Sequence, residues 1–92
     1  MSVLTVNHSF TEDGVSKLSN VPLSIDYMFY ATGVFGGGCL SLEASPDNGV
    51  TWFTVDQLTE PGRLIRYLVS GERVRLSVIG STTPNITTGI RQ

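Results

Sequence analysis

Apolar and polar residues alternate along most of this chain, and no stretch repeats with the period of a helix. The clearest alternating runs cover residues 3–10, 23–35 and 73–79. In the longest run, one set of alternate residues is predicted to face a core: Leu23, Ile25, Tyr27, Phe29 and Ala31. Successive side chains of a strand point to opposite faces, so this pattern predicts an all-β fold built mainly from half-buried strands.

The segment from Ser45 to Trp52 has the sequence Ser-Pro-Asp-Asn-Gly-Val-Thr-Trp and joins two extended runs, 40–44 and 52–55. An Asn-Gly pair between two such runs is a strong hairpin signal, because a tight primed turn needs positive φ at its centre. An aspartate can fold its carboxylate back onto turn amides, and a tryptophan can anchor the base. We therefore predict a β-hairpin with an ordered tip, in which four residues have structural roles: Asp47, Asn48, Gly49 and Trp52.

Turn signals at intervals of about 8–12 residues divide the chain into about seven to eight strands. We expect one domain over residues 1–92, folded as an antiparallel β-sandwich or a small jelly roll. The two ends, 1–4 and 80–92, are expected to lie extended across a neighbour and to add a strand to its sheet. The run Gly36-Gly37-Gly38 precedes a strand, not the helix that a phosphate loop requires, and predicts a bend or the close approach of another backbone.

Composition narrows the classes of function. Only 15% of the residues are charged and the formal net charge is −2, which weighs against nucleic acid as a partner. No run approaches the roughly 18 apolar residues of a membrane-spanning helix. No basic segment followed by a long apolar one marks a secretory signal, so we expect synthesis in the cytoplasm without export. The single cysteine, Cys39, excludes an intrachain disulfide and a metal site made of several cysteines.

No residue pattern in the chain indicates catalysis. His8 is the only histidine, and its phase with Val6 and Phe10 predicts a partly buried, hydrogen-bonded side chain. A Ser-His-Asp set can be drawn on paper, but no nucleophile elbow singles out a serine. Carboxylates that could pair for glycoside hydrolysis lie in predicted turns, where acidic residues are common: Glu12 with Asp13, and Asp56 with Glu60. We expect no enzyme activity, no cofactor and no metal.

The face of the long strand that should point to solvent is unusually apolar. It carries Met28, Tyr30 and Val34, and an apolar patch of this sort marks an interface. The run 64–69 has no polar face, as expected for a strand covered on both sides. Four arginines are predicted to set the register of the contact by pairing with acidic residues of a neighbour: Arg63, Arg66, Arg73 and Arg75. A closed ring of subunits, which we expect to be a homotrimer, would remove the exposed sheet edges.

A glycan-binding module is the alternative function. Trp52 and Tyr67 are aromatic residues whose rings could stack on a sugar, although a thin sandwich needs most of its aromatics inside. Glycan binding that is lost on changing Trp52 or Tyr67 would favour this alternative. Activity that depends on His8 would favour an enzyme.

Two resemblances add to these predictions. The segment from Ser45 to Trp52 is similar to the Asp-box of sialidase propellers, S-x-D-x-G-x-T-W, which is a structural hairpin in that family and implies here a turn without sialidase activity. The segments 40–52, 61–62 and 73–78 resemble small structural proteins of tailed bacteriophage virions. That resemblance implies a β-sandwich or jelly roll that decorates or cements a capsid, or builds part of a tail or fibre. It further implies a homo-oligomer without a cofactor, made in the host cytoplasm and bound in the virion to a larger scaffold such as the capsid.

Overall fold

A computed structural model describes residues 4–92, which form nine β-strands and no helix. The strands are β1 (Thr5–Phe10), β2 (Gly14–Val15), β3 (Ser19–Asn20), β4 (Ile25–Val34), β5 (Cys39–Ser45), β6 (Phe53–Leu58), β7 (Gly62–Leu68), β8 (Arg73–Ile79) and β9 (Asn85–Arg91). The longest strand, β4, is also the longest alternating run of the sequence. The predicted all-β class is confirmed.

The strands form two antiparallel sheets around one core. Sheet A has the order β1-β9-β4-β7, and sheet B has the order β2-β8-β5-β6, with β3 also paired to β8. Because β2 and β3 pair with the same strand, they act as one interrupted strand. The eight strands that result have the order of a jelly roll. This is one of the two architectures that the sequence predicts, a β-sandwich or a small jelly roll.

The core lies between the sheets and consists of alternate residues of the central strands. Sheet A contributes Tyr27, Phe29 and Ala31 from β4, together with Ile86 and Ile90 from β9. Sheet B contributes alternate residues of β5 and β8: Leu40, Leu42, Ala44, Val74, Leu76 and Val78. The predicted inward face of the long strand is confirmed for Tyr27, Phe29 and Ala31. Leu23 was placed on the same face but lies before β4 and is 38% exposed.

The C-terminal segment is part of the sandwich itself. Strand β9 lies between β1 and β4 in sheet A, and its Ile86 and Ile90 are fully buried. The expectation that 80–92 forms an arm across a neighbour is therefore wrong, because this strand completes the chain's own sheet. Of the N-terminal segment 1–4, residues 1–3 lie outside the described residues, and Leu4 is buried in the core.

The three consecutive glycines form a tight corner after β4. Gly36 and Gly37 have φ of 59° and 78°, and the Gly38 amide donates to the Phe35 carbonyl at 2.9 Å. The backbone of Thr82 comes so close that its amide donates to the Gly36 carbonyl at 2.9 Å, while a Cβ on Gly36 would collide with the Thr82 oxygen. The predicted bend and the close backbone approach both occur, and both lie within one chain.

Candidate functional site

The outer face of sheet A carries an uncovered apolar surface. Strands β4 and β7 are antiparallel neighbours, and their register places Met28 opposite Ile65 and Tyr30 opposite Arg63. Ile65 and Tyr67 are 57% and 58% exposed, while Met28 and Tyr30 are half-buried. We call Met28, Tyr30, Ile65 and Tyr67 the sheet A patch. Side chains on alternate residues share a face, so the regular pairing of β4 with β7 brings these four together.

Tyr30 is held across the sheet. It lies opposite Gly89 of β9, and its hydroxyl donates to Asn7 Oδ1 of β1 at 2.9 Å. A Cβ on Gly89 would lie 2.6 Å from the Tyr30 hydroxyl oxygen, so the absence of a side chain there lets the ring cross. Tyr30 therefore ties three strands together and fixes one end of the sheet A patch.

The sequence identified part of this surface. Met28 and Tyr30 lie on the outer face as expected, and Val34 is 62% exposed at the far end of β4, beyond Thr32. Ile65 was not singled out, and Tyr67 was considered only as a sugar platform. The run 64–69 did carry the signal, since it has no polar face, but it was taken as covered on both sides. That interpretation is wrong because the outer face of β7 is not covered within residues 4–92, where Ile65 and Tyr67 are more than half exposed.

The four arginines differ in their surroundings. Arg66 of β7 forms an ion pair with Asp56 of β6, and Arg75 Nε donates to Glu43 Oε1 at 2.7 Å. These two arginines have acidic partners within the same chain, and their pairing with a neighbour stays a prediction. Arg63 is exposed on the outer face of sheet A beside Tyr30. Arg73, at the start of β8, is half-buried opposite Ser45.

The hairpin tip has the predicted internal order. Asp47 Oδ1 accepts hydrogen bonds from the Ser45 hydroxyl at 2.8 Å and from the Thr51 amide at 2.7 Å. Asn48 and Gly49 have φ of 66° and 93°, as a primed turn requires. Hydrogen bonds from the Thr51 side chain and amide, and then from Ser45, hold the pKa of the Asp47 carboxyl below its ordinary value of 3.8.

Trp52 is committed to the structure of the hairpin. Its Nε1 donates to the Gly49 carbonyl at 3.1 Å. The Arg75 guanidinium carbon lies 4.0 Å from the centre of the indole ring, within the range of a cation–π interaction. Because Arg75 is itself paired with Glu43, this face of the ring is covered by a fixed group. The predicted anchoring role agrees with this geometry, which leaves at most the other face of the ring for a sugar.

A second carboxylate anchors the opposite end of the sandwich. Asp13 accepts from the Gly80 amide at 2.9 Å, from the Ser81 amide at 3.0 Å and from the Ser81 hydroxyl. The hydrogen bond from the Ser81 side chain is the main reason that the pKa of Asp13 lies below its ordinary value. Asp13 therefore orders the loop before β9.

His8 lies at an opening between the two sheets. It faces a groove of 390 Å³ between β1 and β2–β3, lined also by Val6, Ser16 and Lys17. A smaller cavity of 180 Å³ on its other side extends along residues 8–15. The His8 ring is half-buried and packs edge-on against Phe10, with ring centres 4.4 Å apart. The predicted partial burial is confirmed, whereas residues 4–92 contain no hydrogen-bond partner for the His8 ring.

Within residues 4–92, no three His, Cys, Asp or Glu side chains lie close enough together to hold a metal ion. The same residues contain no helix long and apolar enough to cross a membrane. Comparisons with protein-family models, with curated proteins and with solved structures found no match. The function must therefore be argued from the surfaces of the fold.

Proposed function

We propose that this protein is a non-enzymatic structural subunit of a phage virion, which decorates or cements the capsid by associating with copies of itself and docking on the shell. The observation that carries the proposal is the sheet A patch. Four large side chains from neighbouring strands form a continuous surface whose most exposed members, Ile65 and Tyr67, are more than half accessible. Contiguous apolar surface of this kind is typical of interfaces.

The surroundings of the patch also resemble those of an interface. Arg63 lies beside Tyr30, and Arg91 lies opposite Met28 on the other side of β4. Both arginines are exposed, so cationic groups border the apolar centre on this side, while the exposed Asp26 lies opposite Tyr67 at its other end. Interfaces commonly combine a dry, aromatic-rich centre with a polar rim, and arginine is favoured there because its fork binds carboxylates in a fixed geometry. We therefore infer a partner surface with an apolar centre and acidic groups at its edge.

The patch is also rigid, which favours docking over a role as flexible surface. It rests on two strands paired over seven residues, from Ile25 with Leu68 to Ala31 with Gly62. The bond from Tyr30 to Asn7 fixes its largest half-buried ring. Side chains already held in place lose little conformational freedom on binding, so more of the burial free energy remains as affinity.

The fold alone does not decide between functions. Jelly rolls are used in viral capsid proteins and in lectins, and one fold hosts many activities. The resemblance of segments 40–52, 61–62 and 73–78 to phage structural proteins supports the capsid role. The glycan-binding alternative has less support, because Arg75 covers one face of Trp52, and the exposed rings that remain, Phe53 and Tyr67, lie in different sheets.

The proposal is tested by incorporation into particles. Tagged protein would be made in the source host during phage growth, and particles purified on a density gradient would be assayed for the tag. We expect wild-type protein to band with the particles and the double variant Ile65→Asp/Tyr67→Asp to stay at the top of the gradient. Ile79→Asp is the matched control, since Ile79 is 62% exposed on sheet B.

The outcomes separate the possibilities. Loss of banding for the sheet A double variant alone supports the proposed docking face. Wild-type protein that never bands with particles overturns the virion role. Equal loss for Ile79→Asp shows that any added charge prevents incorporation and overturns the assignment to sheet A. Circular dichroism of each purified variant checks that it has folded.

A further inference from the structure

We propose that two copies of this chain associate by pairing their β1 strands antiparallel about a two-fold axis at Asn7, which joins the two A sheets into one continuous sheet. This inference rests on the proposed function, because it names how copies associate while the sheet A patch docks on the scaffold. It replaces the ring of three expected from the sequence with a pair. The argument begins with the edges of the two sheets.

Three of the four sheet edges are protected against pairing. On β7, Arg66 points toward the space between the sheets, pairs with Asp56, and donates from Nη1 to the Ile65 carbonyl at 2.7 Å. On β6, the same Asp56 supplies an inward charge, and the pairing with β5 shifts at a bulge between Leu42 and Glu43. Charged residues that point inward, and bulges, are known means of keeping edge strands from pairing with other chains.

The edge formed by β2 and β3 is protected in another way. Val15 pairs with Ser77, and Ser19 pairs with Val74. Between these two pairs, residues 16–18 of the edge lie opposite only residues 75 and 76 of β8, so the edge strand is interrupted by a bulge. The exposed Lys17 lies in the interruption. A short, bulged edge with a lysine offers no continuous row of backbone groups to a second strand.

Strand β1 carries no such protection. Its six residues pair with β9 in unbroken register, from Thr5 with Arg91 to Phe10 with Ile86. The strand contains no proline, lysine or acidic residue, and among residues 4–92 no strand covers its other side. An unprotected edge of this kind is a template for strand addition.

The composition of β1 suits a second copy of itself. With Asn7 opposite Asn7, the outward side chains pair Thr5 with Ser9, and the inward ones pair Val6 with His8. No like charges lie opposite each other in this register. Thr5 pairs with Ser9 on both sides of the axis, and both residues of each pair carry a hydroxyl group. Asn7 uses its Oδ1 to accept from Tyr30, which leaves both amide hydrogens for the partner's backbone or side chain.

The groove beside β1 gives the pairing further contacts, of which Val6 supplies the apolar part in a lining that also includes the polar Ser16 and Lys17. Val6 and His8 are half-buried because this side of the sandwich is open, and they line the 390 Å³ groove. A second β1 would lay its own Val6 and His8 against them and close the opening. Backbone hydrogen bonds would supply the register, and this burial would supply apolar contact.

Disulfide trapping tests the axis directly. In a Cys39→Ser background, Asn7→Cys would place two thiols opposite each other, at about 4.5–5.5 Å between Cβ atoms. Thr5→Cys would face Ser9 of the partner and lie about 14 Å from its own counterpart, four residues along the strand at ~3.4 Å per residue. We expect covalent dimer on mild oxidation of Asn7→Cys, and monomer for Thr5→Cys and Ser9→Cys alone. An equal mixture of Thr5→Cys and Ser9→Cys should give the mixed dimer.

The result distinguishes this inference from the proposed function. Asn7→Cys that cross-links no faster than Thr5→Cys, or a wild-type mass of one chain at every concentration in sedimentation velocity, overturns the β1 pairing. If the same wild-type protein still bands with particles, the docking role stands without the dimer. If dimers form and wild-type protein never bands with particles, the pairing stands and the virion role fails.

Discussion

Asp47 shows how one side chain can order a loop that lacks strand pairing. It accepts hydrogen bonds from Ser45 and Thr51 on either side of the positive-φ pair Asn48 and Gly49. The residue types predicted this turn, because few residues other than Asn and Gly adopt positive φ at low cost. The length of the loop was not predicted. The last ladder pair joins Ala44 to Phe53, and nothing in the sequence marks the bulge beside Leu42 that sets this register.

We expect Asp47→Asn to lower the thermal unfolding midpoint at neutral pH and to lose this effect in acid. The hydrogen bonds hold the folded-state pKa of Asp47 below 3.8, so the charged form stabilises the fold fully above that value. The stabilisation is lost as the pH falls through the lower, folded-state pKa. Thermal unfolding from about pH 7 to about pH 2 should show the wild type and the variant converging below about pH 4. The exposed Asp26→Asn is the control, and a gap for Asp47→Asn that stays constant over this range contradicts the linkage.

Strand β9 owes its central place to residues that a search for strong alternation passes over. Between the buried Ile86 and Ile90 lie Thr87, Thr88 and Gly89, which gave only a weak strand signal. Thr88 is fully buried and its hydroxyl donates to the Tyr30 carbonyl at 2.7 Å. A polar side chain whose hydrogen bond is made thus occupies a buried position that alternation alone would assign to an apolar residue. Gly89 gives space to the Tyr30 ring. The sequence shows these residues, but only the pairing with β4 and β1 gives them their roles.

Gly89→Ala should destabilise the protein by about 1–3 kcal/mol, a cost typical of overpacking. The new methyl group would collide with the Val6 carbonyl oxygen, which cannot move without shifting β1, and with the Tyr30 hydroxyl at 2.6 Å. Gly62→Ala on β7 is the matched control, since its nearest neighbour would be Leu58 Cδ2 at 3.7 Å. Urea unfolding of both variants measures the difference. Equal free energies of unfolding for Gly89→Ala and the wild type contradict the close approach of β1 and Tyr30.

The features of the fold that depend on which side of each strand is buried could be predicted from the sequence. Alternation reports which side of a strand faces the core, so the all-β class, the sandwich and the inward residues of β4 followed from the sequence. Alternation does not report which strands are neighbours. For that reason alternation does not predict that the outer face of β7 is uncovered, or that β9 lies between β1 and β4. For the same reason, only the part of the candidate site on β4 was predicted. The other part lies on β7, which is distant from β4 in the sequence.

The number of unprotected edges sets how far assembly can go. A chain with one open edge pairs once and stops at two copies, whereas a chain with two open edges can continue into an open-ended polymer. In the wild type, the ion pair of Arg66 with Asp56 puts charged residues on the edge strands β7 and β6, whereas β1 carries no charged residue of this kind. Replacing both residues by valine would remove the inward charges without leaving one of them unpaired, and would leave apolar edges on the side opposite β1.

We therefore expect Arg66→Val/Asp56→Val to form species larger than two copies, with an average mass that rises with protein concentration in sedimentation velocity. The charge-swapped Arg66→Asp/Asp56→Arg keeps an inward ion pair at the same edge and should stay at two copies. Adding Val6→Lys to the valine double variant places a lysine beside the partner's His8 at the β1 axis, and should lower the average mass, because β1 no longer joins the copies. If the valine double variant keeps the wild-type mass at all concentrations, the ion pair does not protect these edges, and the selection of β1 by exclusion fails with it.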